Sequence, residues 1–447
     1  MGNDDLTYNN LLSGLLANGG AGDDRITING PLNLLTIVGG GAGSDQIYGG
    51  TGADTINGGD GNDYVMGGGG IDILNGGAGL DTLSYESATG GGITLTLNAS
   101  GGVTPGQFLP GRSNAGVDLI NGGFENVVGT NQDDTITGNA SNNFLIGLDG
   151  ADTLFGLGGT DTLYGMAGND TLIGGGGRDG MDGGDGVDTV SYETSPGGVR
   201  ITFESDGFAS GRGGDAELDG IKNVENAIGS NFNDELKGDA GNNVLRGGGG
   251  ADLLDGRVGS DTADYSTSAA GVTVNLETGV ASGGDAQGDT FINIENITGS
   301  NFNDNLHGLG GGVVRGGAGN DTLSSNTGGT FIGGAGADTL IFNIENGSAD
   351  YDDVTDGGDT LYFNGAGMPN IDLTGIDANS IAAEDQEFQF IGNDVAFGVN
   401  TPGQLRYVSG GRIEGNVDND VDAEFVIQLG NPIAPGTPLD QAVTLLL

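Results

Sequence analysis

A nine-residue phrase recurs without interruption from Gly40 to Ser84. Its five copies read GGAGSDQIY, GGTGADTIN, GGDGNDYVM, GGGGIDILN and GGAGLDTLS, with aspartate always at the sixth place and an aliphatic residue at the eighth. A fixed period of this kind is the signature of a repeat architecture, in which each unit buries its apolar face only against its neighbours. The period is therefore the strongest constraint on the fold, because the structure formed by one copy has to stack on those of its neighbours.

Further nonamers, some of them degenerate, occur in four other places, namely Gly19–Thr27, Gly129–Ser191, Gly229–Asp264 and Gly299–Ile341. Three inserts interrupt the series, and each begins at a tyrosine and carries a Glu-Asn pair near its end. Apolar and β-branched residues alternate in the inserts, which indicates short strands. We interpret the inserts as irregular rungs of the same stack. The predicted division of the chain is 1–39 as irregular N-terminal turns, 40–341 as the regular repeat with inserts at 85–128, 192–228 and 265–298, and 342–447 as a C-terminal β cap.

The charge of the chain excludes several classes of partner. Acidic residues number 62 against 12 basic ones, which gives a net charge of −50. Nucleic acids and anionic membranes are bound through Lys and Arg, so neither is an expected partner. Cysteine is absent, and no apolar stretch approaches the length of a membrane-spanning helix, about 20 residues. The first residues lack the basic and apolar parts of a cleavable signal peptide.

The nonamer itself predicts an all-β solenoid. Glycine permits the positive φ angles of tight turns, and the three residues that follow each turn suit a short strand whose eighth-place side chain faces inward. Two nonamers then form one flattened coil of about 18 residues, and coils stack about 4.8 Å apart with a thin aliphatic core between two sheets.

Stacking also predicts metal binding. It places the sixth-place carboxylates above one another, where their like charges repel, beside turn carbonyl groups that enter no sheet ladder. These oxygens suit a hard cation, and Ca²⁺ accepts roughly six to eight of them in irregular geometry, whereas Mg²⁺ demands an octahedron. Transition metals favour His or Cys, and the chain has one His and no Cys.

The nonamer resembles the RTX repeat, GGxGxDxUx with U apolar. The resemblance covers most of residues 19–341 and implies a parallel β-roll that holds Ca²⁺ between successive turns, with about 10–15 ions in this chain. It implies that the turn glycines contribute their carbonyl groups and that the sixth-place aspartates are ligands. These are Asp24, Asp45, Asp54, Asp63, Asp72, Asp81, Asp134, Asp152, Asp161, Asp170, Asp179, Asp188, Asp234, Asp252, Asp261, Asp304, Asp321 and Asp338.

Some positions depart from the pattern. Asn143 and Asn243 replace the aspartate, and Gly308–Arg315 and Ser325–Ile332 lack it, so weaker or missing sites are expected there. The alternative for any of these aspartates, above all Asp24 and Asp179, is that it only shapes its turn. A further set of insert acids either caps turns or forms extra sites, namely Asp118, Asp219, Asp289, Glu125, Glu225 and Glu295.

The C-terminal region resembles that of serralysin-type secreted proteins. The resemblance rests on Thr401–Asn431, on AGADTL at Ala335–Leu340, on Ile371–Asn379 and on the acidic-then-apolar end Leu439–Leu447. It implies an uncleaved type I secretion signal and export from a Gram-negative bacterium, with a product that is either secreted or attached to the cell surface. A plain final strand is the alternative for Leu439–Leu447.

No enzyme motif accompanies the repeat. The zinc site of serralysins needs HExxH, but the only histidine is His307, at the ninth place of a nonamer, and no GxSxG elbow is present. We therefore expect a non-enzymatic, calcium-binding extracellular protein that acts as a structural unit of a surface layer, filament or matrix and that self-associates. The alternatives are an adhesin-type binding module and the carrier part of a secreted hydrolase.

Overall fold

The computed structural model describes the chain up to Ile341 and, beyond it, the backbone of strands only. Within the first part, the ranges left out are residue 1, 10–14, 30–35, 103–117, 205–206 and 327–328. The described residues form strands and two short 3₁₀ helices, with no α-helix among them, which confirms the predicted all-β class. None of the described residues builds a helix with the length and apolarity of a membrane crossing.

The chain divides into two compact units, Met1–Ile228 and Gly229–Leu447. The first holds strands β1 to β23 and the 3₁₀ helix Gly214–Ala216. Its strands in chain order are Asp5–Asn9, Leu15–Ala21, Arg25–Asn29, Thr36–Ala42, Gln46–Tyr48, Asp54–Asp60, Tyr64–Met66, Ile73–Ala78, Thr82–Ser84, Thr94–Thr96, Leu119–Gly122, Asn126–Val128, Thr135–Thr137, Phe144–Asp149, Thr153–Gly159, Thr162–Ala167, Thr171–Gly177, Gly180–Asp185, Thr189–Ser191, Arg200–Phe203, Phe208–Arg212, Gly220–Lys222 and Asn226–Ile228.

The second unit holds strands β24 to β44 and the 3₁₀ helix Gly284–Ala286. Its strands in chain order are Glu235–Lys237, Val244–Arg246, Leu253–Asp255, Thr262–Asp264, Thr273–Asn275, Val280–Ser282, Thr290–Ile292, Asn296–Thr298, Asn305–Gly308, Val313–Ala318, Thr322–Ser325, Thr330–Ala335, Thr339–Asn343, Ser348–Tyr351, Asp359–Asn364, Asn370–Asp372, Gln389–Asn393, Gln404–Val408, Arg412–Asn416, Phe425–Leu429 and Thr444–Leu446.

Both units are parallel β-solenoids in which two nonamers make one coil. Strands of alternate nonamers pair in parallel, so that Thr153 faces Thr171 in the first unit and Leu236 faces Leu254 in the second. The regular step between equivalent residues is 18. It shortens to 17 between Asp304 and Asp321 because a nonamer there lacks one residue. The predicted fold class is confirmed, including its coil length.

The core is the thin layer between opposed sheets, and the eighth-place residues fill it. Ile47, Leu83, Leu154 and Leu172 are fully buried at 0% exposure, as is Leu245 in the second unit. Each buried side chain of this size contributes about 2 kcal/mol to stability. Seventh- and ninth-place residues lie on the outer faces because successive strand residues point to opposite sides.

The inserts contribute rungs to these sheets and also start new ones. In the first insert, β11 pairs with β8 and β12 with β9, while β10 begins a fresh column that continues to β13. In the second, β22 follows β18, β23 follows β19, and β20 and β21 form an antiparallel hairpin. In the third, β30 follows β26, β31 follows β27, and the hairpin of β28 and β29 starts a column through β32.

The C-terminal region changes to mixed pairing. Strand β38 continues the parallel series from β36, and β43 pairs beside it. The strands β41, β42 and β43 are successive antiparallel neighbours. Most of Ile371–Asn379 and Leu439–Leu447 lies outside the described residues. The part of the latter that is described, Thr444–Leu446, is a strand parallel to Asn370–Asp372.

Candidate metal centres

The sixth-place aspartates line the edges of each stack, and all of the predicted ones are buried. Most are exposed by 2% or less, Asp134 and Asp179 among them, and the least buried of them, Asp234, is exposed by 5%. Buried carboxylates are costly unless they are hydrogen-bonded, paired or bound to metal. The partners of the two carboxylate oxygens therefore decide the role of each residue.

One oxygen of each aspartate is used to stack the coils. The backbone N–H of Asp45 donates to Asp63 Oδ1 at 2.8 Å, and the N–H of Asp63 donates to Asp81 Oδ1 at 2.8 Å. Asp161 and Asp179 repeat this bond at 2.8 Å on the next block. The result is a ladder in which the Oδ1 of one aspartate after another accepts an N–H from the preceding coil. This is the turn-shaping role that we considered as the alternative, and it leaves the second oxygen unaccounted for.

The second oxygen, Oδ2, is buried and has no hydrogen-bond partner in most regular turns. Such an orphaned anionic oxygen needs a positive partner. The residues in this state are Asp24, Asp45, Asp63, Asp81, Asp152, Asp161, Asp170, Asp179, Asp188, Asp252 and Asp261.

A backbone carbonyl converges on the same point. A Cβ atom built on Gly165 would lie closer than 3.0 Å to both Asp170 Oδ2 and the carbonyl oxygen of Gly183. The same holds on Gly316 for Asp321 Oδ2 and Gly333 O in the second unit. Glycine is required at the first place of the nonamer because any larger residue would fill this space. The cradle pairs a carboxylate oxygen with a carbonyl oxygen of the next coil.

This donor set fits a hard cation. It consists of one carboxylate per turn plus backbone oxygens, and within the described residues no cluster of three or more Asp, Glu, His or Cys side chains forms a metal site. Oxygen donors of this type suit Ca²⁺. A bound ion would be held by the orphaned Oδ2 atoms and the adjoining carbonyl oxygens, and it would supply the positive charge that the ladder lacks.

The raised pKa values of these carboxyl groups show that it is costly to ionise them in their buried positions. Burial is the main cause that raises the pKa of Asp152 to about 8, and repulsion from Asp134 and Asp170 adds to it. Burial likewise raises the pKa of Asp252 to about 8 and that of Asp161 to about 7. A nearby divalent cation would lower these values because it favours the charged form.

Four predicted ligands have a different environment. The Oδ2 of Asp134 accepts the N–H of Thr130 at 2.6 Å, and that of Asp234 accepts the N–H of Ser230 at 2.5 Å. Asp304 and Asp54 are held in the same way by the residues at the second place of their own turns. Their need for a cation is smaller, a distinction that the nonamer pattern does not reveal.

Two of the turns have a neutral asparagine side chain where the others have a carboxylate. Asn143 Nδ2 donates to the carbonyl oxygen of Glu125 at 2.7 Å, while its Oδ1 accepts the N–H of Asn139 at 2.7 Å. Asn243 Oδ1 accepts the N–H of Asp239 at 2.9 Å. At Asn143 a neutral amide thus forms bonds that a carboxylate would need an ion to complete. Weaker or missing sites at the asparagine turns remain a prediction.

The insert acids end the ladders. Asp118, Asp219 and Asp289 accept the N–H of the last regular aspartate on one edge, and the glutamates at 125, 225 and 295 do so on the other. Such bonds are those of caps, one of the two roles we considered for these residues.

A tyrosine completes each aspartate cap. The hydroxyl groups of Tyr192 and Tyr265 donate to Oδ2 of Asp219 and Asp289 at 2.9 and 2.8 Å. The tyrosine at position 85 makes a longer contact of 3.4 Å with Asp118. The sequence shows a tyrosine at the start of each insert, but its pairing with an acid 24 to 33 residues later follows only from the fold.

His307 lies on β32, as its ninth-place position predicts. Its Nδ1 contacts Ser324 Oγ at 2.8 Å, and its Nε2 contacts Glu277 Oε2 at 3.1 Å. It therefore belongs to an outer strand face.

These coils and oxygen cradles define a class, the parallel β-solenoid with cation sites between its turns. The model of the RTX calcium-binding nonapeptide repeat matches the sequence at residues 39–74, 66–84, 120–154, 128–163, 155–190, 228–263 and 312–340. These segments are thus RTX calcium-binding repeats, as the nonamer predicts. Comparison with curated proteins finds no match.

Proposed function

We propose that this protein is a secreted, non-enzymatic scaffold whose solenoid forms when it meets extracellular Ca²⁺. The observation that carries the proposal is the set of buried Oδ2 atoms that face backbone carbonyl groups and lack a donor. Extracellular calcium modules bind with dissociation constants of about 10⁻⁴–10⁻³ M. Such sites stay empty at cytosolic calcium levels and fill outside the cell, so that binding favours the folded state by mass action.

Circular dichroism of the purified chain tests this directly. In chelator at neutral pH we expect a spectrum dominated by coil, and on addition of millimolar Ca²⁺ a conversion to strand. Mg²⁺ at equal concentration and ionic strength is the control, because it should not replace Ca²⁺ at these irregular sites. A chain that is fully folded in chelator would contradict the proposal.

We further propose export through a type I secretion system. The support is the resemblance of Thr401–Asn431 and Leu439–Leu447 to serralysin-type C-terminal regions, together with the typical occurrence of RTX repeats in secreted bacterial proteins. A chain that folds only with Ca²⁺ suits passage through an exporter in an unfolded state.

The role outside the cell that we favour is a structural unit of a surface layer, filament or matrix. Its support is that the repeat and its inserts occupy most of the sequence. Among the described residues, β1 and β2 also lie at the edges of their sheets, and sheet edges can pair with another chain. Electron microscopy with and without Ca²⁺ tests it. Calcium-dependent filaments or lattices are the expected result, whereas monomers that persist at high concentration favour an adhesin-type module.

A further inference from the structure

The second and third inserts each place an additional acid beside the last orphaned oxygen of a ladder. In both, the turn that follows the antiparallel hairpin is a 3₁₀ helix with the sequence Gly-Asp-Ala, and the aspartates within it are Asp215 and Asp285. Neither residue belongs to a nonamer, and neither is among the ladder aspartates. Both side chains are half-buried.

In the first unit, Asp215 lies over the turn that presents Asp179. A Cβ built on Gly176, the third residue of that turn, would lie 3.8 Å from Asp215 Oδ1. Asp179 is exposed by 2%, its Oδ1 accepts the N–H of Asp161, and its Oδ2 has no hydrogen-bond partner. After burial, repulsion from Asp215 is a cause that raises the pKa of Asp179. The Asp215 carboxylate thus lies beside the turn whose aspartate has a buried oxygen without a donor.

The third carboxylate nearby, that of Asp219, is already fully engaged. Its Oδ1 accepts the N–H of Asp179 at 2.8 Å, and its Oδ2 accepts the hydroxyl of Tyr192 at 2.9 Å. It is therefore held as a cap and adds negative charge without offering a free oxygen. The carboxylates that remain as candidate ligands are those of Asp179 and Asp215.

The second unit repeats the arrangement independently. Asp252 is exposed by 1%, and its Oδ2 has no hydrogen-bond partner. The N–H of Asp285 donates to Ser268 Oγ at 3.1 Å, just as that of Asp215 donates to Ser195 Oγ at 3.0 Å. Repulsion from Asp285 is also one of the causes that raise the pKa of Asp252. Asp289 is engaged by the N–H of Asp252 at 2.9 Å and by the hydroxyl of Tyr265 at 2.8 Å. Three aspartates and one tyrosine thus recur in equivalent positions in the second unit.

We propose that each of these inserts supplies a second carboxylate to one Ca²⁺ site of the ladder, so that one ion lies between Asp179 and Asp215 and another between Asp252 and Asp285. The proposal rests on the calcium-dependent function above and assigns a ligand role to residues outside the nonamer. Ligand charge tunes calcium affinity. A site with two carboxylates therefore binds more tightly than a regular cradle with one carboxylate per turn, so these two sites fill first as Ca²⁺ rises.

Equilibrium dialysis of the full chain against ⁴⁵Ca²⁺ measures the number of ions bound. The double variant D215N/D285N is expected to bind two fewer ions per chain in the tightest phase, or to bind them at least about tenfold more weakly. The single variants D215N and D285N should each lose one from that phase. Since the two inserts lie in different units, a folding defect in one variant leaves the other informative.

The matched control is E217Q. Glu217 follows the same 3₁₀ helix and bonds the N–H of Gly213, and the third insert naturally carries Gln287 in that role. This variant removes one charge from the same turn, and it should bind as many ions as the unchanged chain.

Tb³⁺, a hard-cation probe, supplies a second readout through tyrosine-sensitised luminescence. Tyr192 and Tyr265 bond the caps beside the two sites, so D215N/D285N should lose a large part of the sensitised emission while E217Q keeps it. Unchanged stoichiometry, affinity and emission in D215N/D285N would overturn this inference and leave the proposed function intact. Failure of the unchanged chain to bind Ca²⁺ at all would overturn the proposed function.

Discussion

At the scale of single residues, the two oxygens of a sixth-place aspartate have separate roles. Oδ1 fixes the distance between coils by accepting an N–H, whether or not a metal is bound. Oδ2 provides the negative charge that a cation must meet. Asparagine keeps the coils linked in a modified way. The backbone N–H of Asn143 still donates to Asp161 Oδ1, while its Nδ2 donates to the carbonyl oxygen of Glu125 and its Oδ1 accepts the N–H of Asn139.

The substitution D161N should therefore reduce the number of bound Ca²⁺ ions by one and leave the fold intact. Its amide can donate to a backbone carbonyl as Asn143 does, so the calcium-free chain should become more stable. Calorimetric titration counts the ions, and denaturant unfolding in chelator at mildly acidic pH reports stability. The comparison variant is D134N, whose Oδ2 already accepts the N–H of Thr130. D134N should bind as many ions as the unchanged chain. It should lower the free energy of unfolding by about 1–3 kcal/mol, because its side-chain N–H would face the N–H of Thr130.

The calcium-free chain should be more stable in acid than at neutral pH. Burial raises the pKa of Asp152 and Asp252 to about 8, and that of Asp81 to about 7, from an ordinary value of 3.8. Above about pH 4 the folded state therefore holds more protons than the unfolded one, so its stability falls as the pH rises toward 8. Circular dichroism in chelator across this range should show strand lost with rising pH. A rise in strand content with pH would contradict it.

Calcium binding should show the opposite dependence on pH. Each ion displaces protons from carboxyl groups whose pKa is raised, so affinity increases from pH 5 to pH 8 and protons are released. Calorimetry in two buffers of different ionisation enthalpy measures the released protons directly. An equal heat in both buffers at pH 6 would show that these carboxyl groups are already ionised.

The residue pattern predicted the buried aspartates and the aliphatic core because both follow from a period of nine and from the alternation of a strand. It did not separate Asp134, Asp234 and Asp304 from the rest. Their sixth-place aspartate is identical, and the difference lies in Thr130, Ser230 and Ser300, whose N–H groups turn toward Oδ2. A threonine or serine at the second place of a turn is the signal that could have revealed it.

At the scale of elements, the inserts end some columns and begin others. Strands β11, β22 and β30 complete a column, while β10 and β28 each start one. The last carboxylate of a column needs a donor that no further coil provides. The buried tyrosine hydroxyl fills that need, which explains why each insert begins with tyrosine at the point where the nonamers stop.

The substitution Y192F removes this donor and leaves Asp219 Oδ2 buried without it. The expected cost is about 1–3 kcal/mol of unfolding free energy in saturating Ca²⁺, with no change in the ion count. Urea unfolding followed by circular dichroism measures it. Y164F is the control, since Tyr164 lies half-buried on the outer face of β16 and should lose little. Equal stability of the two variants would show that the tyrosine cap is not a stabilising contact.

Sequence reasoning predicted that the inserts form short strands but not how they connect. Their alternating residues indicate strands regardless of partner. The pairing of Tyr192 with Asp219, or the position of Asp215 over the turn of Asp179, depends on where a hairpin returns the chain. Contacts of this separation are decided by tertiary packing, which local periodicity does not encode.

At the scale of the whole molecule, a net charge of −50 on 447 residues opposes folding until cations are bound.

Removal of the last fifty residues should abolish export by a co-expressed type I system, because the proposed signal lies there. The Ca²⁺ binding of the nonamers should persist, since the predicted ligands all precede residue 342. Immunoblots of medium and cells measure export, and calcium titration of the purified remnant is the control. Normal export of the shortened chain would place the signal elsewhere.

The direction of the aspartate ladder bears on how the protein is made. Every N–H in it donates toward a carboxylate that comes later in the chain, from Asp45 to Asp63, then to Asp81 and at last to Glu125. A ribosome delivers donors before their acceptors. The block Gly40–Ser84 therefore remains incomplete during translation until the insert that follows it has been synthesised, because its two ladders end on Asp118 and Glu125.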